Sequence, residues 1–224
     1  AGYRLIDTAQ SYGNEEAVGK AIRNSGIPRE EIFLTTKLWN DDQRSGKVEE
    51  AIEASLKRLG MDYVNLYLVH WPVKETYVSV WKKMEAVYKS GKAKAIGVSN
   101  YQTHHLADLL EEAEIIPAVN QIECYPYLSQ AATIQYCLER NIRPEAWGPL
   151  GAGKSDILTN PVITEIAKKR GLTPAQVVLG WNLERGVIVI PKSIHKERLT
   201  ENLKCTDFEL TDEDMTRISA LNKN

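Results

Sequence analysis

The 224-residue sequence predicts a parallel α/β fold closed as a (β/α) barrel rather than opened as a doubly wound sheet. Three observations carry this reading. Seven short apolar runs alternate with longer segments of helical spacing, the pattern of a parallel sheet with crossover helices. The fingerprint G-x-G-x-x-G, which an open dinucleotide-binding sheet would carry after its first strand, occurs nowhere. Each run also ends in polar residues, as do barrel strands whose active site gathers at their carboxyl ends.

The runs are "YRLIDTA" from Tyr3, "IFLTTKL" from Ile32, "VNLYLVH" from Val64, "AIGVSN" from Ala95, "AVNQIE" from Ala118, "RPEAWGP" from Arg143 and "VIVIPKS" from Val187. Each is too short for a buried helix, and most are rich in β-branched or aromatic residues, so they read as strands. Between them, Val48, Ala51, Ile52, Ser55, Leu56 and Leu59 form one helical face closed by Gly60. Tyr77, Val80, Trp81, Met84, Val87 and Tyr88 form another, closed by Gly91. Thr173, Pro174 and Gln176 supply a cap, a first-turn proline and the return partner of a capping box. No Pro/Gly/Ser-rich linker interrupts the chain, so residues 1–224 are expected to form a single barrel domain.

One stretch invites a different reading. "GPLGAGKS", Gly148 to Ser155, fits the phosphate-binding pattern G-x-x-x-x-G-K-[ST] letter for letter. That loop requires a helix beginning at the Gly-Lys-Ser itself. Here "DILTNPV" intervenes, and the next helix is predicted to start at Asn160 and Pro161. The match is coincidental.

Bulk properties narrow the function. A formal charge of −2 with interspersed signs offers no basic stripe for nucleic acid. No apolar run approaches the roughly 20 residues that span a bilayer, and "AGYRLIDTAQ" has neither part of a signal peptide. Cys124, Cys137 and Cys205 are odd in number and without C-x-x-C spacing, which fits a reducing cytoplasm. His70, His104, His105 and His195 make no metal-ligand spacing with cysteines or carboxylates, so no metal is expected.

The strand ends are more informative. The first run carries Asp7, the second Lys37, the third His70, the fourth Ser99 and Asn100, the fifth Gln121, the sixth Trp147, and the seventh Lys192 and Ser193. Parallel neighbours lie about 4.8 Å apart, so Asp7, Lys37 and His70 should meet at one mouth, with Tyr12 reaching over them. Singly, each has a bland explanation: Asp and Tyr as turn residues, Lys as a solvated charge, His as a satisfied core residue. Together, on three successive strands, they can satisfy one another's buried charge. A free tyrosine, with a pKa of about 10, is a poor acid near neutrality. An ammonium beside it stabilises the phenolate, and a carboxylate keeps that ammonium charged and oriented. With a histidine donating to a carbonyl oxygen, the set suits proton delivery to an oxygen that is gaining negative charge.

At this point the sequence resembles the aldo-keto reductases. The resemblance rests on "LIDTAQSYGNE", "TTKLW", "LVHWP", "GVSN", "NQIE", "AWGPLG" and "IPKSIHKERLTEN", in order along the whole chain. It is similar above all to the bacterial-type branch that reduces small aldehydes, glyoxals and diketo sugars. The resemblance implies a (β/α)8 TIM barrel and NADPH as hydride donor. It implies Tyr12 as general acid, with Lys37 and Asp7 tuning it and His70 orienting the carbonyl. Ser99, Asn100 and Gln121 would hold the nicotinamide carboxamide, and Trp147 would cover the ring. Gly148, Pro149 and Leu150 would run along the pyrophosphate. Lys192, Ser193, Ile194 through its backbone, Arg198, Glu201 and Asn202 would grip the adenosine end, where a helix start flanked by cations suits a 2′-phosphate. Trp39 and Trp71 would wall the pocket of a small-molecule carbonyl substrate. A cytoplasmic monomer is expected.

Seven strands are one short of that barrel. The family's leading hairpin, first strand and helix are expected to belong to the protein but not to this sequence, which an intact mass would check. "ECYPYL" also departs from the family, which often has Tyr-His where Cys124 and Tyr125 stand. No extended carboxyl-terminal substrate loop is expected after "TDEDMTRISALNKN", which predicts an open pocket of broad specificity. Two other readings remain: a cofactor-sensing subunit of a membrane channel with the same fold, and a barrel lyase or isomerase acting through a Lys37 Schiff base. The second leaves Trp147 and "IPKS" unexplained.

Overall fold

The structure is a computed structural model and describes residues 1–223. The chain forms two compact units, one of Arg4–Asn120 and one of Ala1–Tyr3 with Gln121–Asn224.

The first unit is built on four parallel strands in chain order: β1 (Leu5–Asp7), β2 (Phe33–Leu38), β3 (Val64–Val69) and β4 (Ala93–Ser99). Their register pairs Asp7 with Thr35, Lys37 with Leu68, and Leu68 with Gly97. Thus Asp7, Lys37 and the strand ends rise together on one side of the sheet. Every residue of β2 after Phe33 is buried, and so are Leu66, Tyr67, Leu68 and Val69 of β3. Such near-continuous burial is what strands covered on both faces require.

The helices of this unit are α1 (Glu15–Asn24), α2 (Asn40–Ser45), α3 (Val48–Leu59), α4 (Ser79–Lys89) and α5 (Thr103–Glu112). α3 buries all six residues of its predicted face and ends where Gly60 turns left-handed at φ 63°. α4 buries Val80, Trp81, Met84 and Val87, but the predicted stripe is too long at both ends. Tyr77 lies before the helix, its amide bonded to Val73 O, and Tyr88 in the last turn is exposed. α1 and α3 approach closely at Gly19, where an added Cβ would lie 1.8 Å from Leu59 O.

The strand β5 (Val119–Glu123) lies across the division between the units. In the second unit, β6 (Arg143–Trp147) pairs in parallel with β7, Glu145 opposite Ile188 and Ala146 opposite Val189. β7 is only Ile188–Val189, much shorter than the predicted run. Ile190 N still reaches Ala146 O at 3.4 Å, and Pro191, with no amide hydrogen, ends the pairing. Lys192 and Ser193 therefore belong to the loop after β7 and not to the strand.

Among the described residues, the helices that complete this unit are α6 (Ala131–Leu138), α7 (Pro161–Arg170), α8 (Pro174–Glu184), α9 (Lys196–Leu203) and α10 (Asp212–Ser219). Ile134, Ile163, Ile166, Val177, Val178 and Trp181 pack with Ile122 and Ala146 into its core. The predicted capping box is present, with Gln176 N donating to Thr173 Oγ1 at 3.3 Å and Thr173 N to Gln176 Oε1 at 3.0 Å. α7 starts as expected, its first turn capped by Asn160 Oδ1, which accepts from Val162 N at 2.9 Å. Between Gly148 and Asn160 there are only short 3-10 turns, so "GPLGAGKS" opens no helix. Among the described residues, no helix is long and apolar enough to cross a membrane.

The Gly19 contact gives a stability test. Gly19→Ala would force α1 away from a backbone carbonyl that cannot rotate aside, and overpacking of this kind costs about 1–3 kcal/mol or more. Thermal melts should show a lower Tm for Gly19→Ala. For Gly13→Ala, where added bulk meets nothing within 4 Å, the loss should be smaller and due to backbone strain alone.

Candidate active site

Four of the predicted residues meet within the first unit. Lys37, the penultimate residue of β2, is completely buried. Its Nζ donates to Asp7 Oδ1 at 2.6 Å, to Thr8 O at 3.0 Å and to Tyr12 Oη at 3.4 Å. An ammonium has three hydrogens, and here each has an acceptor. Tyr12 closes a 3-10 turn, Gln10–Tyr12, and is 51% exposed, so its hydroxyl joins a buried charge to open solvent.

The turn that carries Tyr12 is held on both sides. Thr8 Oγ1 donates to Asn14 Oδ1 at 2.6 Å across its base. Glu15, buried at the start of α1, accepts from Thr36 Oγ1 at 2.6 Å and from Arg58 Nε at 2.7 Å. Thr36 adjoins Lys37, so the Tyr12 turn is pinned to the strand whose lysine it must meet.

His70 follows directly after β3 and is 8% exposed. Burial, and secondarily the Lys37 ammonium, lower its pKa to about 4. Its imidazole is neutral near pH 7. The Trp39 ring stands edge-on at 5.2 Å between centroids and the Tyr12 ring at 5.8 Å, while Ser11 Oγ lies 3.4 Å from Nδ1. Trp39 is fixed in turn by its amide, which donates to Gln10 Oε1 at 3.2 Å. Trp71, 42% exposed, is tied through its carbonyl to buried Gln43 at 3.1 Å. Ser99 is buried at the end of β4. Asn100, at φ 64°, donates through Nδ2 to His70 O at 3.0 Å and Ser99 Oγ at 3.1 Å.

In the second unit, Gln121 is buried and donates through Nε2 to Glu145 Oε1 at 2.6 Å. Trp147, Gly148 and Leu150 are half-buried and Pro149 is buried, with Gly148 at φ 58°. Lys192, Ile194 and Arg198 are exposed around the start of α9, and Ser193 Oγ accepts from His195 N at 3.1 Å. Asn202 is buried, and Glu201 is half-buried with Oε1 accepting from Thr173 Oγ1 at 2.7 Å. One carboxylate oxygen of Glu201 is thus already used in joining α9 to the cap of α8.

Sequence reasoning missed Glu145, Glu15 and the Thr8 carbonyl. A lone glutamate inside the otherwise apolar "PEAW" was a usable signal for the first. A backbone carbonyl leaves none.

A family model for the aldo/keto reductase family matches residues 1–223. The chain belongs to that family. This aldo/keto reductase is 52% identical over 223 residues to the glyoxal reductase of Bacillus subtilis (strain 168), spanning 100% of this chain and 80% of the relative. It is 45% identical over 224 residues to the methylglyoxal reductase DkgA of Escherichia coli (strain K12), spanning 99% and 81%. Its fold matches the crystal structure of MGS-M4, an aldo-keto reductase enzyme from a Medee basin deep-sea metagenome library. The TM-score is 0.96 at 49% identity, over 99% of this chain and 82% of that one.

Burial of neutral His70 sets a pH test with a definite sign. Below the ordinary histidine pKa of about 6.5, an unfolded chain takes up a proton that the native site refuses until about pH 4. Native stability should therefore fall as pH drops through that window. In a pH titration followed by NMR, the His70 imidazole should remain neutral from pH 8 to pH 5; a midpoint near 6.5 would contradict the site as described.

Proposed function

We propose that this aldo/keto reductase reduces small aldehydes and ketones of the glyoxal or diketo-sugar type to alcohols, with NADPH as hydride donor and Tyr12 as proton donor. The observation that supports it most directly is the buried Lys37 ammonium bonded at once to Asp7 and to the Tyr12 hydroxyl. The names of its similar proteins, glyoxal and methylglyoxal reductases, point to the same substrate class.

NADPH, when bound, supplies the hydride to the carbonyl carbon. The carbonyl oxygen, gaining negative charge, takes the proton of Tyr12 Oη. The phenolate left behind faces the Lys37 ammonium, whose third hydrogen bond then joins two opposite charges and strengthens at that moment. Asp7 keeps the ammonium in place. Neutral His70 donates a hydrogen bond to the carbonyl oxygen but has no second proton to give near pH 7, which leaves Tyr12 as the acid. Trp39 and Trp71 wall the pocket.

The residues present fit the cofactor. Exposed Lys192 and Arg198 at the start of α9 suit a 2′-phosphate, with Ser193, the Ile194 backbone, Glu201 and Asn202 toward the adenosine. Ser99, Asn100 and Gln121 are assigned to the carboxamide, Trp147 to the ring face, and Gly148, Pro149 and Leu150 to the pyrophosphate. Cys124, Cys137 and Cys205 are buried thiols in no disulfide among the described residues, which suits the reducing cytoplasm, and the protein is proposed to act there as a monomer. The alternation of strands and helices supports a (β/α)8 barrel, short of one strand in this sequence.

Loss of reduced-nicotinamide absorbance with methylglyoxal tests the proposal. Tyr12→Phe should lower turnover by about 10²–10⁴-fold while NADPH binding, read by fluorescence, stays unchanged. Full activity in Tyr12→Phe would remove Tyr12 from its role. NADPH binding by the wild type with no turnover of any small carbonyl would favour the cofactor-sensing reading instead.

A further inference from the structure

Glu145 is a buried carboxylate in β6 that the acid–base chemistry does not use. It is 1% exposed, lies between buried Pro144 and Ala146, and takes a 2.6 Å hydrogen bond from Gln121, itself 2% exposed. A primary amide has a donor end and an acceptor end, whereas a carboxylate can only accept. The contact therefore fixes which end of Gln121 faces Glu145: it is the NH2 end, and Oε1 is turned the other way.

We infer that Glu145 is a positioning residue for the cofactor, holding Gln121 so that its Oε1 is presented as an acceptor to the N–H of the nicotinamide carboxamide. The inference rests on the NADPH reading above and adds to it the polarity of the contact. A charge serves this better than a neutral group. Flipping the amide against a neutral partner exchanges one hydrogen bond for another of similar strength. Flipping it against a carboxylate sets oxygen against oxygen and loses a charge-assisted bond, about twice as strong as a neutral one. With both side chains buried, water does not compete for either end.

The test compares NADP+ with its 3-acetylpyridine analogue, in which a methyl replaces the carboxamide NH2 while the ring and carbonyl are kept. Dissociation constants from quenching of tryptophan fluorescence give the preference for NADP+ over the analogue. That preference should fall about tenfold in Glu145→Ala, the worth of one buried hydrogen bond. In Glu145→Gln, which keeps the volume but lets the amide pair form either way round, it should fall about threefold. Affinity for the analogue should stay within about twofold in Glu145→Gln, since that ligand has no donor for Gln121 to meet.

A merely structural role would weaken both ligands alike and leave the preference unchanged, and that result overturns the inference. Should Glu145→Ala fail to fold in a thermal melt, the Glu145→Gln preference decides alone. Failure of the wild type to bind NADP+ would instead overturn the cofactor reading, and this inference with it.

Discussion

The buried Lys37 ammonium is the interaction on which the site depends. A charge with no exposed surface survives only if every hydrogen is accepted. Lys37 meets that demand with a carboxylate on β1, the carbonyl of the next residue, and the hydroxyl of a tyrosine in the following turn. Removing one partner of such a pair typically costs about 3–5 kcal/mol. The lysine thereby fixes where β1 ends, how the chain turns after it and where Tyr12 points, before any ligand arrives.

The same charge reaches beyond its own hydrogen bonds: with burial, it disfavours the imidazolium of His70. Under the proposed mechanism it would also face the phenolate that proton transfer leaves on Tyr12, and one ammonium would then set the two residues different tasks. The surrounding contacts resist any drift in this arrangement: Glu15 ties α1 to Thr36, next to the lysine, and Trp39 stands edge-on to the His70 ring.

Much of this was legible in the sequence where periodicity or a residue type carries the signal. All seven strands lie at the quoted runs, and the face of α3, the Thr173 capping box and the Asn160 start of α7 are as read. Asp7, Lys37 and His70 were legible because a charged or titratable residue near the end of a short apolar run is conspicuous, and Tyr12 because it stands in the turn directly after the first run. Legibility failed where tertiary contact decides. β7 stops at Val189 because Pro191 cannot pair, although "VIVIPKS" is apolar enough to continue. Glu201 was expected only at the adenosine end, and its bond to the cap of another helix had no signal in the sequence. The partnership of Gln121 with Glu145 joins residues on different strands, which no local pattern reveals.

Asp7, Tyr12, Lys37 and His70 all come from three consecutive strands and one turn of a single compact unit, while Lys192, Arg198 and the rest of the α9 segment lie far along the chain in the other. The four residues thus form one heritable cassette within a single short stretch of chain that ends at His70. Under the proposed cofactor assignment, substitutions after residue 190 would retune which dinucleotide is favoured without touching it, and recombination anywhere beyond His70 would pass the quartet on whole.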